Sequence, residues 1–265
     1  MAETRRGGTA LITGASSGIG RELSTLFARD GFNVVLVARR EAVLRSLAAE
    51  LESRYGITAH VLAEDLRHAA APADIYSALA EQSIPVDVLV NNAGVGTYGE
   101  FHETDTGADL DMLRVNVMAL THLTKLFLKD MVARNAGKIL NVSSTAAFQP
   151  GPMMSVYYAS KAYILSMSEA LSNELQGTAV TVTALCPGPT PTGFQARAGI
   201  AHLRLQRGGV IPLNSARKVA LQGYKGLMAG RHCVIPGVTN RIVARAARLV
   251  SPTVAARIVR ALHRA

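Results

Sequence analysis

Short apolar runs alternate with longer amphipathic stretches along most of the chain. Residues 9–13, 32–37, 58–63, 86–90, 138–142, 180–185 and 232–235 are strand-length runs rich in Val, Ile and Leu. The stretches between them, one ending near residue 29 and others at 41–55, 71–82, 109–134, 155–176 and 214–228, carry helical patterns. Strands that are apolar without interruption are buried on both faces, and strands separated by helices pair in parallel. The pattern predicts an α/β chain with one doubly wound domain and a central parallel sheet of about seven strands. Between Gly193 and Pro212 it fades into a Gly-rich, basic, partly apolar segment. Two amphipathic helical pieces follow at 241–250 and 253–264, broken at Ser251-Pro252. No internal repeat or low-complexity linker divides the chain. Residues 1–237 are therefore read as the domain and 238–265 as a basic helical tail.

The first strand runs into Gly14-Ala15-Ser16-Ser17-Gly18-Ile19-Gly20 and then a helix. That order is the context of a Rossmann-like nucleotide-binding loop. Glycines let a phosphate approach the backbone, and the helix N-terminus offers it free N–H groups. The spacing is GxxxGxG rather than the commoner GxGxxG. The second strand ends Ala38-Arg39-Arg40. An acid at that place would take the adenosine 2′-hydroxyl and select NAD, whereas an arginine holds a 2′-phosphate. Ala38 stands where the acid would be, so Arg39 and Arg40 predict NADPH. The plainer alternative is that they open a solvated helix.

Ser143-Ser144 follows the fifth strand, and Tyr157-Tyr158-Ala159-Ser160-Lys161 lies on the next helix. Residues i and i+4 of a helix share a face, so Tyr157 and Lys161 point the same way. An ammonium beside a phenol favours the phenolate and pulls its pKa from about 10 toward neutrality. Such a tyrosine exchanges a proton with a carbonyl or alcohol oxygen that a serine hydroxyl holds. Tyr158 also reaches Lys161, at i+3, so spacing alone leaves the two tyrosines open.

Composition narrows the class. The 265 residues are 49% hydrophobic, enough for a sizeable core. Cys186 and Cys233 fit no CxxC pattern and read as buried thiols, with no metal site, in a reducing compartment. The N-terminus has no signal-peptide pattern, and no apolar run approaches the ~18 residues of a membrane span. A cytoplasmic protein is expected. Charge is uneven: Glu174 is the last acid, and residues 175–265 hold 13 Lys and Arg with no Asp or Glu. A basic third suits an acidic partner or a membrane surface, or is a solvated face. Nucleic-acid binding is not expected, because no reading module accompanies the charge.

Taken in order, the motifs resemble those of the classical short-chain dehydrogenase/reductase family. They are Thr13-Gly14-xxx-Gly18-Ile19-Gly20, Asn91-Asn92-Ala93-Gly94, Asn116, Ser144, Tyr157-xxx-Lys161 and Pro187-Gly188, and the match runs from about Thr9 to Ile235. The resemblance implies that the family's YxxxK tyrosine is Tyr157 and its serine is Ser144. It implies a catalytic set of Asn116, Ser144, Tyr157 and Lys161, with Asn116 distorting its helix and holding a water beside Lys161. For the cofactor it implies Gly14, Ser16, Ser17, Gly18, Ile19 and Gly20 at the phosphates, Arg39 and Arg40 at the 2′-phosphate, and Asp65, Leu66, Asn92, Ala93 and Gly94 along the adenosine half. Tyr157, Lys161, Pro187, Gly188, Thr190 and Thr192 would hold the nicotinamide end. An NADP(H)-dependent carbonyl/alcohol oxidoreductase is implied, acting on a small molecule as a homodimer or homotetramer.

The lid expected at 192–212 carries Phe194, Ile200, Leu203 and Leu205, and Phe148, Met153 and Met154 precede the tyrosine helix. These predict an apolar carbonyl substrate. In the tail, Ile242, Val243, Ala246, Leu249 and Val250 share a face opposite Arg241, Arg245 and Arg248. Val254, Ile258 and Leu262 repeat this against Arg257, Arg260 and Arg264. Such helices cap the subunit, pack in a dimer, or lie on an anionic bilayer. Two other functions share the features: reduction of a 3-oxoacyl thioester on an acidic carrier protein, and NADP(H) sensing without turnover.

Overall fold

The computed structural model describes residues 7–200 and 213–264. Seven parallel strands form one sheet in the order β3-β2-β1-β4-β5-β6-β7. They are β1 Gly7–Thr13, β2 Phe32–Ala38, β3 Ala59–Ala63, β4 Val88–Asn91, β5 Gly137–Val142, β6 Val180–Leu185 and β7 Cys233–Val234. The helices are α1 Gly18–Arg29, α2 Glu41–Tyr55, α3 Ala71–Glu81, α4 Thr106–Leu113, α5 Leu120–Ala133, α6 Ser155–Glu174, α7 Gly193–Arg197, α8 Ala216–Met228, α9 Val238–Leu249 and α10 Pro252–Arg264.

Side chains of a strand alternate between faces, and β1 shows how this builds two cores. Ala10 and Ile12 face one cluster, which takes Leu23 and Phe27 from α1, Leu44 and Leu51 from α2, and Tyr224 and Leu227 from α8. Leu11 between them faces the other, with Ile75 and Leu79 from α3 and Leu123, Phe127 and Met131 from α5. All three β1 residues are fully buried. That double burial is why the strands read as continuous apolar runs.

The order reverses between β1 and β4, and the loops leaving their carboxyl ends diverge there to open a cleft. Thr13 ties the two ends together. Its hydroxyl accepts from the backbone N–H of Asn92 and Ala93, each at 3.0 Å. Pairing of β6 with β7 also brings Cys186 and Cys233, 47 positions apart, to 4.0 Å between sulfurs, as free thiols.

The helix predicted at 109–134 is three pieces. Asp105 caps α4 by accepting from Ala108 N at 2.6 Å, a contact worth about 1 kcal/mol. The helix then widens into a π-helical turn at Arg114–Ala119 before α5 resumes. The widened turn holds Asn116, which is fully buried. Its carboxamide pairs with backbone outside the helix: Val95 N–H donates to Oδ1 and Nδ2 donates to Val95 O, both at 3.0 Å. Side-chain competition of this kind produces π-bulges, and apolar periodicity carries no trace of it.

Candidate active site

The carboxyl ends of the strands surround a cavity of about 630 Å³. At its floor, Ser143 and Ser144 leave β5 in opposite roles. The Ser143 hydroxyl donates to Lys161 O at 2.7 Å and is buried. Ser144 faces the cavity, accepting from Ala146 N at 3.1 Å and bonding the Tyr157 phenol. α6 then brings Tyr157 and Lys161 to the same wall. The Lys161 ammonium donates to Val142 O at 3.0 Å and lies 5.7 Å from the Tyr157 ring centroid.

The two tyrosines are separated by their partners. Tyr158 gives its hydroxyl to His263, 3.2 Å away, and burial pushes its pKa far up. Tyr157 keeps its hydroxyl for Ser144 and the cavity. Lys161 does not pull Tyr157 toward neutrality in this state. Burial pushes the phenol up to about 12, with the Ser144 hydrogen bond working the other way. The same burial pushes Lys161 down to about 8. Desolvation penalises the phenolate and the ammonium alike and is the largest cause of both shifts. Tyr157 therefore holds its proton at neutral pH.

Asn116 stands behind the cavity wall and donates to Ser160 Oγ at 3.1 Å. A Cβ at Gly94 would lie 3.4 Å from both Asn116 Oδ1 and Lys161 Nζ, so these two groups face one small space.

The glycine turn fits a dinucleotide phosphate. Gly14 and Gly18 have φ of +67° and +56°, where side chains are strained. Ser17 precedes α1 with its hydroxyl uncommitted at the helix N-terminus. Ser16, Ser17, Gly18 and Ile19 line the cavity. Gly20 does not: it packs beneath the turn, where a Cβ would stand 2.4 Å from Gly14 O. Arg39 and Arg40 line the far end, and Arg40 donates to Ser16 Oγ at 3.1 Å. Asp65 and Leu66 line it too, though Arg67 occupies the Asp65 carboxylate at 2.5 Å and holds its pKa down. Asn92, Ala93 and Gly94 form the side wall, with Asn92 Nδ2 donating to Thr13 O at 2.8 Å. Pro187, Gly188, Thr190 and Thr192 close the opposite side. Thr192 caps α7, and its side chain sits 3.0 Å from where a Gly18 Cβ would be.

Three parts of the site go beyond what the sequence placed there. Arg197 on α7 enters the cavity as a third guanidinium; burial and then repulsion from Arg40 and Arg39 hold its pKa below the usual value. No ion pair engages Arg39, Arg40 or Arg197 among the described residues, and a shared anion would relieve them. Gln149 reaches the cavity with a buried Oε1 that has no partner among the described residues.

The third is the tail, which folds over the cavity. Val243, Ala246, Val250, Val259, Leu262 and His263 line it. The apolar face read from sequence turns inward in part, with Val243, Ala246, Val250, Ile258 and Leu262 bordering the cavity. Ala255, Val259 and His263 are buried, whereas Val254 and Ile258 remain half-exposed. His263, fixed by hydrogen bonds to Tyr158 and Pro152, turns Val259 and Ala255 on its own face inward. Of the apolar residues expected at the substrate, Phe194 and Ile200 line the cavity. Met154 packs in the cluster behind it, and Phe148 lies under the Arg248 guanidinium at 4.9 Å. Leu203 and Leu205 lie outside the described residues.

Residues 8–201 match the short chain dehydrogenase family. The chain is 40% identical over 182 residues to a very-long-chain 3-oxoacyl-CoA reductase of Laccaria bicolor, covering 67% of this chain and 53% of that protein. It is 35% identical over 182 residues to the 17-beta-hydroxysteroid dehydrogenase type 3 of Mus musculus, covering 67% and 58%. It thus spans little more than half the length of these relatives. A short-chain dehydrogenase of Sphingobium yanoikuyae, solved in complex with NADPH, superposes with a TM-score of 0.81 at 32% identity over 90% of this chain and 92% of that one. With the fold, the glycine turn and the Ser144, Tyr157, Lys161 wall in one cavity, these matches make the chain a member of the short-chain dehydrogenase/reductase family.

Proposed function

We propose that the protein is an NADP(H)-dependent oxidoreductase that interconverts an apolar ketone or aldehyde and its alcohol. The observation that carries this reading is the meeting of Ser144, Tyr157 and Lys161 at one end of a cavity whose other end holds Arg39, Arg40 and Arg197. NADPH, when bound, supplies the hydride. The protein supplies position and the proton. Ser144 donates a hydrogen bond to the substrate oxygen, and Tyr157 gives that oxygen its proton. The Lys161 ammonium stabilises the phenolate left behind, and Asn116 faces the space through which Lys161 is hydrated. The arginines hold the cofactor's phosphates.

A long 3-oxoacyl thioester is a second reading of the substrate within the same chemistry. The Laccaria bicolor relative is named for one, and the apolar tail wall would accept an acyl chain. Free and carrier-bound 3-oxoacyl thioesters assayed side by side separate this from a simple ketone. NADPH binding with no turnover on either would favour the sensor reading.

The free thiols of Cys186 and Cys233 suit a reducing cytoplasm. Exposed Leu110, Met118 and Tyr163 support assembly into a homo-oligomer, which sedimentation velocity would test. Ile242 and Leu249, exposed among Arg241, Arg245 and Arg248, suit peripheral contact with an anionic membrane. The full-length protein should then pellet with anionic vesicles and Leu249→Glu should not; equal pelleting of the two would dismiss the contact.

Tyr157→Phe should bind NADPH within about twofold of wild type and lose at least about 100-fold in kcat, as removal of a general acid does. Retained turnover would refute the assignment of the proton donor. Wild-type carbonyl reduction should fall as pH rises through about 8, where Lys161 loses its charge. A profile flat to high pH would show that the charge is not needed. Arg39→Ala and Arg197→Ala should each weaken NADPH binding about tenfold or more, the usual scale of a charge-assisted hydrogen bond. The Arg39 loss should be absent with NADH; calorimetric titration of both nucleotides checks it, and equal losses would place Arg39 elsewhere on the cofactor.

A further inference from the structure

One buried histidine ties the last helix to the catalytic one. His263 is 2% exposed. Its Nδ1 lies 2.9 Å from Pro152 O, which only accepts, so Nδ1 carries the hydrogen. Nε2 is then an acceptor, and the Tyr158 hydroxyl donates to it at 3.2 Å. The Tyr98 hydroxyl donates to the His263 carbonyl at 2.8 Å. The Tyr158 and His263 rings meet edge to face with centroids 5.8 Å apart. Gly151 makes room for this: a Cβ there would stand 2.1 Å from the Tyr158 ring. An outer tie pairs Arg260 with Glu100 at 3.0 Å.

The clasp decides what α10 presents to the cavity. Val259 and Ala255 precede His263 by four and eight residues and share its face. Val259 joins an apolar cluster with Met154, Tyr158 and Ile200, against which Tyr157 and Phe194 also pack. The Tyr157 phenol, residues 194–200 and the last helix thus meet at one apolar surface.

We propose that His263 is a positioning residue for substrate selection: clasped to Tyr158, it holds Val259 and Ala255 as the apolar wall facing Tyr157, and that wall selects carbonyls bearing an extended apolar group. The inference rests on the carbonyl-reducing reading of the site. A histidine that merely anchored a cap would lower activity on all substrates alike.

The test is kcat/KM for straight-chain aldehydes from butanal to decanal. In wild type it should climb with length, by up to about fourfold per buried methylene. In His263→Ala the decanal-to-butanal ratio should fall about tenfold, mostly through KM for the longer chains. His263→Gln, whose amide oxygen can accept from Tyr158, should restore part of it. An unchanged ratio in His263→Ala would overturn the proposal. NADPH affinity, read by fluorescence, reports whether the variant is folded. If His263→Ala loses it, Tyr158→Phe removes the same hydrogen bond, and there a lost ratio supports the proposal and an unchanged one overturns it. If wild type turns over no aldehyde, the function reading has failed, and displacement of bound Nile red by decanol decides this one. Displacement from wild type but weaker in His263→Ala supports the clasp, and equal displacement overturns it.

Discussion

A buried ammonium fixes the geometry of this molecule's site. Lys161 cannot sit under the sheet's carboxyl edge without a partner, because an unpaired charge there is costly. It finds Val142 O at the end of β5. Ser143 donates to the Lys161 carbonyl, so strand and helix hold each other through consecutive residues. α6 is thereby set in register, Tyr157 faces Ser144, and Tyr158 is turned away. The cost of burial stays visible in both groups: the phenol is pushed up and the ammonium down. The phenol therefore keeps its proton in this state, ready to be given to an acceptor.

The other end of the cavity poses the opposite problem. Arg39, Arg40 and Arg197 converge with no ion pair among the described residues, and the repulsion of Arg197 by the other two favours an anion between them. One end thus suits proton transfer and the other suits a phosphate. The glycine turn between them brings backbone N–H groups close to what lies across the cleft. α9 and α10 then close the remaining side with apolar surface. Under the proposed function, a substrate's carbonyl and its apolar group would meet different parts of the chain.

Much of this was legible in sequence, for identifiable reasons. Strands buried on both faces leave uninterrupted apolar runs, and β6 and α2 fall on the residues read for them. The glycine turn and the Tyr157, Lys161 pair are local, so spacing reveals them. What escaped depends on contacts between distant residues. The resemblance implied a distorted helix at Asn116, but its partner Val95, 21 positions away, left no local signal. His263 and Tyr158 are 105 apart. Arg197 matters only because α7 carries it toward Arg40. In α10 the expected Ile258 and Leu262 border the cavity, but the deeper burial of Ala255, Val259 and His263 follows from the distant Tyr158 contact. The effect of Lys161 on Tyr157 was misjudged because sequence gives spacing but not desolvation.

The most direct measurement is isotopic. The protein would be incubated with NADPH deuterated at the transferable C4 position and an apolar ketone, and the alcohol examined by mass spectrometry. The account predicts one deuterium, on the carbinol carbon, in wild type and almost no alcohol with Tyr157→Phe. Alcohol without the label, or labelled alcohol formed equally by the variant, would contradict it.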